Sequence, residues 1–573
     1  MLAWTAQVHA RTLMRRFFRA TRRGANIQSS VLMSLVRRHA DSAFGQDHGF
    51  QAIRDVHDFR RQVPVRAYAQ MAPYIDRVQA GEVTALFREG ERILMFARTS
   101  GSTDQPKHIP VTPGFVRDYR RGWNIFGIKA LLDHPGCFVR GIVQVASRMD
   151  EGRTATGVPC GAISGLLAAT QKRLVRKYYV VPPETAEIAD ADARYYSIVR
   201  FAVPRDVAWM VTASPATPIH LARTAETHAD RLFRDIHDGT LSPPGDTPPA
   251  CLPASLRDRL TPAPRTARRL EAIASRTGRF RPRDYWRLGF LANWTGGTLG
   301  LHLREFPEYF GDTPVRDIGL LATEGRVTFG IEDRVPYGLL DVQGAFFEFL
   351  PAREDPPMPD GLDPPQGNAP VVSPAAVNEA LGCHELDIGA TYRVILTNSA
   401  GLYRYDLGDF VRVAGYVGQA PLLEFLHRGE RVSSMTGEKL TEWQAVEAYQ
   451  RACAELNLPG ALFVLCPQWR QPPRYRLHVD ARDMPLARLA ERVDHHLSAL
   501  NLEYAAKRKS LRLGPIEPNS LPTSFLAERD ARLKARRGAA NEQFKRQCLY
   551  TQPGEDDDFP SDAREAGAAV AQY

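Results

Sequence analysis

Apolar residues follow two alternating patterns along most of the chain. Up to about residue 90 they recur at helical spacing, as at Leu32, Leu35 and Val36, and Pro64 and Pro73 interrupt the helices. Apolar runs of strand length follow at 93–96, 138–145, 207–211 and 393–396, and helical stretches lie between them at 116–132 and 196–201. Strands that alternate with helices predict an α/β architecture.

The pattern changes after residue 428. A short linker leads to a helix predicted at 442–456, strands at 461–466 and 475–479, and a helix at 486–500. These elements predict a separate, smaller α+β unit of ordinary domain size.

The sequence therefore predicts a large N-terminal domain at 1–428, a hinge at 429–436 and a C-terminal domain at 437–550. Two proline-rich segments, 242–264 and 352–374, are predicted to be surface loops or insertions. The end at 551–573 is acidic and has few core-forming residues, so we expect it to be disordered.

The composition is that of a globular protein, because 44% of the 573 residues are hydrophobic and 24% are charged. No apolar stretch approaches the roughly 18 residues of a membrane span. Seven cysteines are scattered without C-x-x-C pairs, which favours reduced thiols in the cytoplasm over a zinc site or disulfides. The basic, amphipathic N-terminus has the composition of a mitochondrial presequence, but we favour a first helix that covers the core.

The net charge of +9 and the pI of about 9.2 raise the question of a polyanionic partner. Arginines are spread along the chain, and the local clusters are at 15–16, 22–23 and 534–537. No nucleic-acid-binding signature accompanies them. The sequence therefore predicts neither a nucleic-acid nor a membrane partner, but a basic surface that favours anionic nucleotides.

The stretch at 96–112 reads F-A-R-T-S-G-S-T-D-Q-P-K-H-I-P-V-T. Because its residues are small, their N–H groups and hydroxyls can bind a polyphosphate. A lysine in the same stretch supplies a positive charge that attracts the phosphates. The candidates are Ser100, Gly101, Ser102, Thr103 and Lys107. Walker spacing is absent, and a Ser/Thr-rich turn explains the string equally well by itself. Asp104 would have to point away from phosphates or pair locally.

The stretch at 319–325, G-L-L-A-T-E-G, ends a strand-like run in a hydroxyl, a carboxylate and a glycine. The Thr323 hydroxyl can bond an α-phosphate, and Glu324 is a natural magnesium ligand. Gly325 is a further cofactor-binding candidate beside them. Taken alone, the string is more typical of a strand end with a polar turn.

The stretch at 397–413 contains a tight turn at Gly401 and the string L-Y-R-Y-D-L-G-D. Asp409 can accept both hydroxyls of a ribose. Tyr403 and Tyr405 alternate with Arg404, which predicts that the two tyrosines share a strand face. A β-hairpin with a charged turn is the alternative.

Two further stretches concern the boundary between the domains and the end of the chain. At 425–442 Arg428 closes the large domain and Lys439 opens the small one. At 538–545, G-A-A-N-E-Q-F-K, Lys545 follows a glycine-containing loop near the end of the small domain.

These five stretches occur in the order and spacing of one family. The chain resembles the plant-type acyl acid amido synthetases, the auxin-responsive Gretchen Hagen family of the adenylate-forming superfamily, from about residue 28 to 545. Further strings that carry the resemblance are F-G-Q-D-H-G-F (44–50), V-P-V-R-A-Y (63–68), P-Y-I-D-R-V-Q-A-G-E (73–82), Y-Y-V-V-P-P-E (178–184), W-T-G-G (294–297), G-A-F-F-E-F (344–349), A-G-L-Y-R-Y-D-L-G-D (400–409) and L-N-L-E-Y-A-A-K-R (500–508).

The resemblance implies a large domain of mixed sheets, partly barrel-like and flanked by helices, with a smaller mobile α+β lid. The resemblance implies that residues 100–103 bind the phosphates of ATP and that Thr323 and Glu324 bind the α-phosphate and the metal. It also implies that Asp409 binds the ribose. Arg428 and the catalytic candidates Lys439 and Lys545 would approach the nucleotide. Asp104, and Ser102 where the family has threonine, depart from the pattern.

The implied activity uses ATP and Mg²⁺ to convert a carboxylic acid to acyl-AMP, whose acyl group passes to an amine, most simply an amino acid. A monomer in the cytoplasm is expected. An acyl-CoA ligase, or another adenylate-forming ligase with a different acceptor, is the alternative, and a non-catalytic nucleotide-binding module is a third. Candidates for the acyl pocket are Trp123, Phe126 and Ile128 and the loop 158–163, although these fit a core equally well.

Overall fold

The computed structural model describes residues 2–98, 107–145, 148–171, 173–245, 252–296, 303–352, 379–429, 432–433, 435–436, 438, 440–481, 484–537 and 546–560. Helices are distributed over the whole of this part of the chain. They are α1 (Leu2–Thr21), α2 (Gly24–Arg38), α3 (Ala43–Asp47), α4 (Val56–Gln62), α5 (Tyr68–Gln79), α6 (Pro113–Asp133), α7 (Ile163–Ala169), α8 (Arg173–Arg176), α9 (Ala191–Ala202), α10 (Ala216–Thr227), α11 (Ala229–Asp238), α12 (Ala254–Arg257), α13 (Pro264–Thr277), α14 (Pro282–Tyr285), α15 (Phe306–Phe310), α16 (Glu442–Glu455), α17 (Leu486–Leu500), α18 (Leu502–Lys509) and α19 (Phe525–Arg537).

Strands alternate with these helices and form several small sheets. They are β1 (Met95–Arg98), β2 (His108–Val111), β3 (Gly141–Gln144), β4 (Gly152–Arg153), β5 (Pro159–Gly161), β6 (Val207–Val211), β7 (Phe290–Asn293), β8 (Val315–Asp317), β9 (Leu321–Ala322), β10 (Gly325–Arg326), β11 (Thr328–Phe329), β12 (Tyr337–Leu340), β13 (Phe346–Pro351), β14 (Thr391–Thr397), β15 (Tyr405–Val417), β16 (Ala420–Arg428), β17 (Val432–Ser433), β18 (Leu440–Thr441), β19 (Phe463–Gln468), β20 (Arg474–Val479) and β21 (Glu517–Ser520).

Two sheets organise the larger part of the molecule. A parallel sheet has the order β3-β6-β7-β8, and an antiparallel sheet has the order β11-β12-β16-β15-β14-β13. A third sheet, β2-β1-β5-β4, includes the strands that flank the predicted phosphate loop. The predicted mixed α/β fold, with several sheets flanked by helices, is therefore confirmed.

The buried side chains form separate cores. The largest joins the N-terminal helices to the antiparallel sheet and includes Phe44, Phe59 and Phe347, whereas a second surrounds the parallel sheet. The C-terminal α+β unit has its own core, in which Tyr449 stacks on Phe463. Apolar burial on this scale is the main stabilising term for each unit.

The predicted first helix is confirmed as α1. Ala10, Met14 and Phe17 recur at helical spacing and are buried, and the Phe17 ring lies 5.2 Å from that of Phe329. Across the residues described, no helix has both the length and the apolarity that crossing a bilayer requires.

The predicted disordered tail is wrong for residues 551–560. Asp556 is buried and accepts hydrogen bonds from Gln468 and His478, and the Phe559 ring packs against the imidazole of His478. Composition could not reveal these partners, which lie about 80 residues earlier in the chain. Residues 561–573 lie outside the described residues.

The predicted strand around Tyr403 is also wrong. Arg404 has φ of +45°, a left-handed conformation that breaks the alternation, and β15 begins only at Tyr405. Tyr403 stacks on Phe44 in the core, 4.8 Å between ring centroids. Tyr405 alone of the two tyrosines contacts a candidate site residue.

Candidate active site

The candidate site lies beyond the carboxyl ends of the parallel strands. The last strand, β8, ends at Asp317, whose carboxylate accepts hydrogen bonds from the N–H groups of Thr295 (2.8 Å) and Gly319 (2.5 Å). Burial raises the pKa of Asp317, although these hydrogen bonds favour its charged form. Thr295, which follows β7, thus holds the end of β8, from which the chain continues to the motif at 319–325.

Thr323 and Glu324 form the two-residue turn of the β9–β10 hairpin. The register pairs Gly325 with Ala322, and both turn residues are buried, with Glu324 3% exposed. Polar residues at a hairpin tip ordinarily face water. Their burial therefore supports a ligand-binding interpretation over that of an ordinary polar turn.

Asn398 holds this turn in place. Its side-chain amide donates to the Glu324 carbonyl at 2.6 Å, and its Oδ1 accepts from the N–H of Ala400 at 3.0 Å. The turn closes at Gly401, whose φ of +77° and close approach to the Phe87 ring leave no room for a side chain. The predicted tight turn at Gly401 is thus confirmed, and it joins the third sequence motif to the second.

The same turn joins the strand that follows the predicted phosphate loop. The Thr112 hydroxyl donates to the Ser399 carbonyl at 2.9 Å and also caps α6. The Ser399 hydroxyl donates to Asp118 at 2.8 Å. Three sequence-distant motifs therefore meet around residues 398–402.

One tyrosine contacts the Glu324 carboxylate, and a second lies near Lys107. The Tyr405 hydroxyl donates to Glu324 Oε1 at 3.4 Å. Tyr68 lies on the other side of the site, where its hydroxyl accepts from the His108 N–H at 2.8 Å and its ring lies 5.7 Å from Lys107 Nζ. Burial raises the pKa of Tyr68, and the nearby charge of Glu324 adds to the rise. Lys107 thus lies near the Tyr68 ring, and the charge of Glu324 acts on the same side chain.

Asp409 lies on β15, four residues beyond Tyr405. It is 4% exposed and faces Arg428 in the register between β15 and β16. The side chain of Arg428 lies outside the described residues, so the structure places only its main chain. The sheet therefore brings the main chains of the two candidates together.

Several candidates lie outside the described residues: Ser100, Gly101, Ser102, Thr103, Lys439 and Lys545. Asp104 lies outside them as well. Residues 438 and 440 beside Lys439 and the chain from 546 onward are described, and the Cys548 N–H donates to the Glu442 carboxylate at 2.7 Å. This bond joins the chain shortly after Lys545 to the chain shortly after Lys439.

The residues around Glu324 suit magnesium. Among the described residues, Glu324 does not belong to any group of three or more possible protein ligands. Magnesium keeps several waters and is commonly held by one or two carboxylates together with substrate phosphates. A single buried carboxylate at the edge of the candidate site therefore fits this ion better than one that needs a full set of protein ligands.

The acyl-pocket candidates separate into two kinds. Phe126 is fully buried and belongs to the core, whereas Trp123 is half-buried and carries the guanidinium of Arg326 over its ring at 4.3 Å. Arg326 is 5% exposed, and its Nε and Nη2 have no hydrogen-bond partner in the described part of the chain. Ile128 and Val158 pack against the core, where Cys160 and Ile163 are buried.

Sequence reasoning missed Asn398, Ser399 and Tyr68 as parts of the site. Asn398 and Ser399 stand directly before the recognised Gly401 turn, and asparagine there is typical of a side chain that organises a turn. Tyr68 ends the string V-P-V-R-A-Y, which carried the family resemblance without any role. No local pattern indicates that its hydroxyl binds the strand after Lys107.

Comparison with known proteins concerns the family and the fold of the chain. The GH3 family N-terminal domain matches residues 13–315, the central domain 338–428 and the C-terminal domain 443–554. A jasmonoyl–L-amino acid synthetase, GH3.5 of Oryza sativa subsp. japonica, is 25% identical over 546 residues, covering 87% of each chain. An indole-3-acetic acid-amido synthetase, GH3.6 of Arabidopsis thaliana, is 23% identical over 459 residues, covering 75% of this chain and 72% of its own.

The fold matches solved structures as well. The AtGH3.15 acyl acid amido synthetase in complex with 2,4-DB superposes with a TM-score of 0.79 over 95% of both chains, at 19% sequence identity. A second GH3.15 structure gives a TM-score of 0.77 over 94% of both. Because the three family domains together cover most of the sequence, the chain belongs to the GH3 family.

Proposed function

We propose that this protein is an ATP-dependent acyl acid amido synthetase. The observation that carries the proposal is the buried Thr323–Glu324 turn, which the structure joins to Tyr405, to the 398–402 turn and to the strand after Lys107. A buried carboxylate costs free energy, which a purely structural turn would not require unless the charge were paired. Family membership supports the same activity.

In the first half-reaction, a carboxylate oxygen of the acid attacks the α-phosphorus of ATP, and pyrophosphate leaves. The Thr323 hydroxyl would bond the α-phosphate, Asp409 the ribose hydroxyls, and Lys107 would neutralise charge on the polyphosphate. Glu324 would hold Mg²⁺, which supplies charge neutralisation on the phosphates when bound. Lys439 and Lys545 would bring further positive charge to the same groups.

In the second half-reaction, the amine of an amino acid attacks the carbonyl carbon of acyl-AMP. The carbon–oxygen bond to AMP breaks, AMP leaves with the bonding electrons, and the nitrogen loses a proton. The enzyme forms no covalent bond to the acyl group, so no nucleophilic side chain is needed.

Rotation of the C-terminal unit between the half-reactions stays a prediction. Gly429 donates to the Gly408 carbonyl at 2.7 Å on the large sheet, whereas Ser433 is buried and bonds the Tyr475 hydroxyl of the C-terminal unit at 3.0 Å. A pivot would therefore fall at residues 430–431 rather than across all of 429–436. We also propose a monomer in the cytoplasm, where the six free buried cysteines of the described part would stay reduced.

The proposal predicts acid-dependent exchange of pyrophosphate into ATP. Lys545→Ala should lose about a hundredfold or more of this activity, as removal of one charge-stabilising group typically does. Lys509→Ala, an exposed lysine of the same unit, is the matched control. Exchange that does not depend on any carboxylic acid, or that is equal in both variants, would contradict the proposal.

The acceptor separates the amido synthetase from the acyl-CoA ligase. Purified protein charged with acid and ATP should release AMP with amino acids and not with coenzyme A. Release of AMP with coenzyme A alone would support the adenylation step but would identify the second step as that of an acyl-CoA ligase.

A further inference from the structure

The first two helices carry an unusual concentration of positive charge. Residues 1–40 contain eight arginines and no lysine, aspartate or glutamate. The whole chain has 74 basic and 65 acidic residues, so these eight account for nearly all of its net charge of +9. All eight side chains are exposed: Arg11, Arg15, Arg16, Arg19, Arg22, Arg23, Arg37 and Arg38. We refer to them as the arginine surface.

The arginine surface is unpaired within the fold. In the part of the chain that the structure describes, none of its members makes an ion pair, and the first arginine that does is Arg60. Elsewhere arginines commonly have partners, as Arg316 has in Asp133 and Asp333. Like charges on neighbouring helical turns repel one another. The charge therefore costs stability, and in the described part of the chain only Arg38 has a nearby opposite charge, that of Asp118, whose pKa burial raises and Arg38 helps to lower.

The arginines of α1 form one exposed row. Arg11, Arg15 and Arg19 are four residues apart, which places them about 6 Å apart along one helix face. Met14 and Phe17 fill the opposite face against the core, and α1 packs on α6. The apolar face is already occupied, so this helix can attract a partner only through its charge.

The arginine surface continues into a shallow cavity beside α2. The cavity has a volume of about 770 Å³ and is lined by Ser29, Ser30, Ser34, Arg37, Arg38 and Arg88. Hydroxyls and guanidiniums together suit phosphate oxygens, because guanidinium forms bidentate hydrogen bonds to them. Of these arginines Arg88 also pairs with Glu91, at 3.3 Å.

We propose that the arginine surface docks the protein on an anionic lipid bilayer, with phosphate-bearing headgroups in the cavity beside α2. Clusters of four to eight basic residues on an amphipathic helix are typical of such binding. Nucleic acid fits less well: single strands stack on exposed aromatic rings, and α1 and α2 expose none among the side chains described. A helix that packs along α6 is also poorly placed to enter a major groove.

The full-length protein should sediment with phosphatidylcholine–phosphatidylserine vesicles at low salt and not with phosphatidylcholine alone. Arg11→Gln/Arg15→Gln/Arg19→Gln should weaken this binding by on the order of a hundredfold, because each basic residue near such a surface contributes about fivefold. Arg37→Gln/Arg38→Gln should also weaken it. Pyrophosphate exchange of both variants should match that of the unsubstituted protein, which checks that they fold.

The matched control is Arg268→Gln/Arg269→Gln/Arg276→Gln, which removes the same charge from exposed positions on α13. It should keep the vesicle binding. An equal loss in the control would show that net charge alone is responsible and would overturn the proposal. Equal binding to uncharged vesicles would overturn it as well, and so would binding of a single-stranded RNA by a protein that ignores the anionic vesicles.

Discussion

Two buried glutamates, Glu324 and Glu348, lie in regions that use buried charge in opposite ways. Glu348, on β13, is 1% exposed and accepts hydrogen bonds from Nε of Arg60 at 2.9 Å and Nε of Arg404 at 3.0 Å. Glu324, at the β9–β10 turn, is 3% exposed, and from the residues that the structure describes its carboxylate accepts one long hydrogen bond, of 3.4 Å, from Tyr405. Burial alone does not distinguish these two carboxylates.

The partners of Arg404 explain the role of Glu348. The guanidinium also donates to the carbonyls of Arg60 and Val63, which ties the chain at α4 to the antiparallel sheet. Its left-handed backbone, φ +45°, is held by an N–H bond to the Thr397 hydroxyl. Nearly every polar atom of this centre has a partner, so the centre is complete without a ligand.

The comparison teaches that hydrogen-bond saturation, rather than burial, separates structural charge from functional charge. A buried carboxylate with two guanidinium partners is stabilised by the fold itself. A buried carboxylate with one weak partner still has acceptor capacity for a ligand. The following predictions test this difference, from the largest expected effect to the smallest.

Glu348→Gln should lower the free energy of unfolding by about 3–5 kcal/mol, because it leaves the buried charge of Arg404 without a counter-charge. Urea unfolding followed by circular dichroism measures this. Glu424→Gln, at the more exposed pair with Arg412, is the control and should cost at most about 1 kcal/mol. A loss at Glu348 no larger than the control would contradict a structural role for the saturated centre.

Glu324→Gln should have the opposite effect, with a large loss of activity and a small loss of stability. Acid-dependent pyrophosphate exchange should fall by about a hundredfold or more, since the carboxylate would neutralise no metal charge. The free energy of unfolding should stay within about 1 kcal/mol, because no ion pair is broken. Raising the magnesium concentration should restore part of the activity. If Glu324→Gln lowered the free energy of unfolding as much as Glu348→Gln does, Glu324 would also have to be regarded as a residue that stabilises the fold.

Acid should destabilise the protein through His39, another buried titratable group. Burial, with the charges of Arg38 and Arg88, lowers the pKa of His39 to about 4. In the unfolded chain His39 therefore becomes protonated near pH 6.5, whereas in the folded protein it becomes protonated only near pH 4. Stability is complete above pH 6.5 and is lost as the pH falls through this window, by about 3 kcal/mol in all.

Unfolding of His39→Asn at pH 7 and pH 4.5 tests this window. Asparagine can still accept the hydrogen bond that the Arg88 N–H donates to His39 Nδ1 at 3.0 Å, and it does not titrate. The variant should therefore lose less stability between the two pH values than the unsubstituted protein. Parallel losses in both would assign the acid effect to other groups.

The sequence predicted the regular elements better than the contacts between them. The strand at 207–211 and the helix at 486–500 have the predicted bounds, because continuous apolar runs and helical spacing depend only on neighbouring residues. The tail at 551–560 and the side chain of Arg404 depend on partners far away in the chain. No local pattern contains those partners, so both expectations failed.

The site could be predicted in part for the same reason. Thr323, Glu324 and Asp409 stand in recognisable strings, whereas Tyr68 and Asn398 acquire their roles only when three segments meet. The basic clusters at 15–16 and 22–23 are visible in the sequence, but a net charge calculated over the whole chain conceals that the segment around them contains no acidic residue. Charge counted in windows of helix length would have revealed it.

Tyr405→Phe should have the smallest effect. Its hydroxyl lies 3.4 Å from Glu324, at the long end of hydrogen-bond distances, so its loss should cost about 0.5–1.5 kcal/mol. We expect pyrophosphate exchange to fall about threefold at limiting magnesium and less at saturating magnesium, because the hydroxyl orients the carboxylate rather than replacing it. Tyr416→Phe, on the same strand, bonds the Leu386 main chain and should leave exchange unchanged. If Tyr405→Phe were as damaging as Glu324→Gln, the hydroxyl itself would act on the substrate, and Glu324 would no longer be the unsaturated member of the pair.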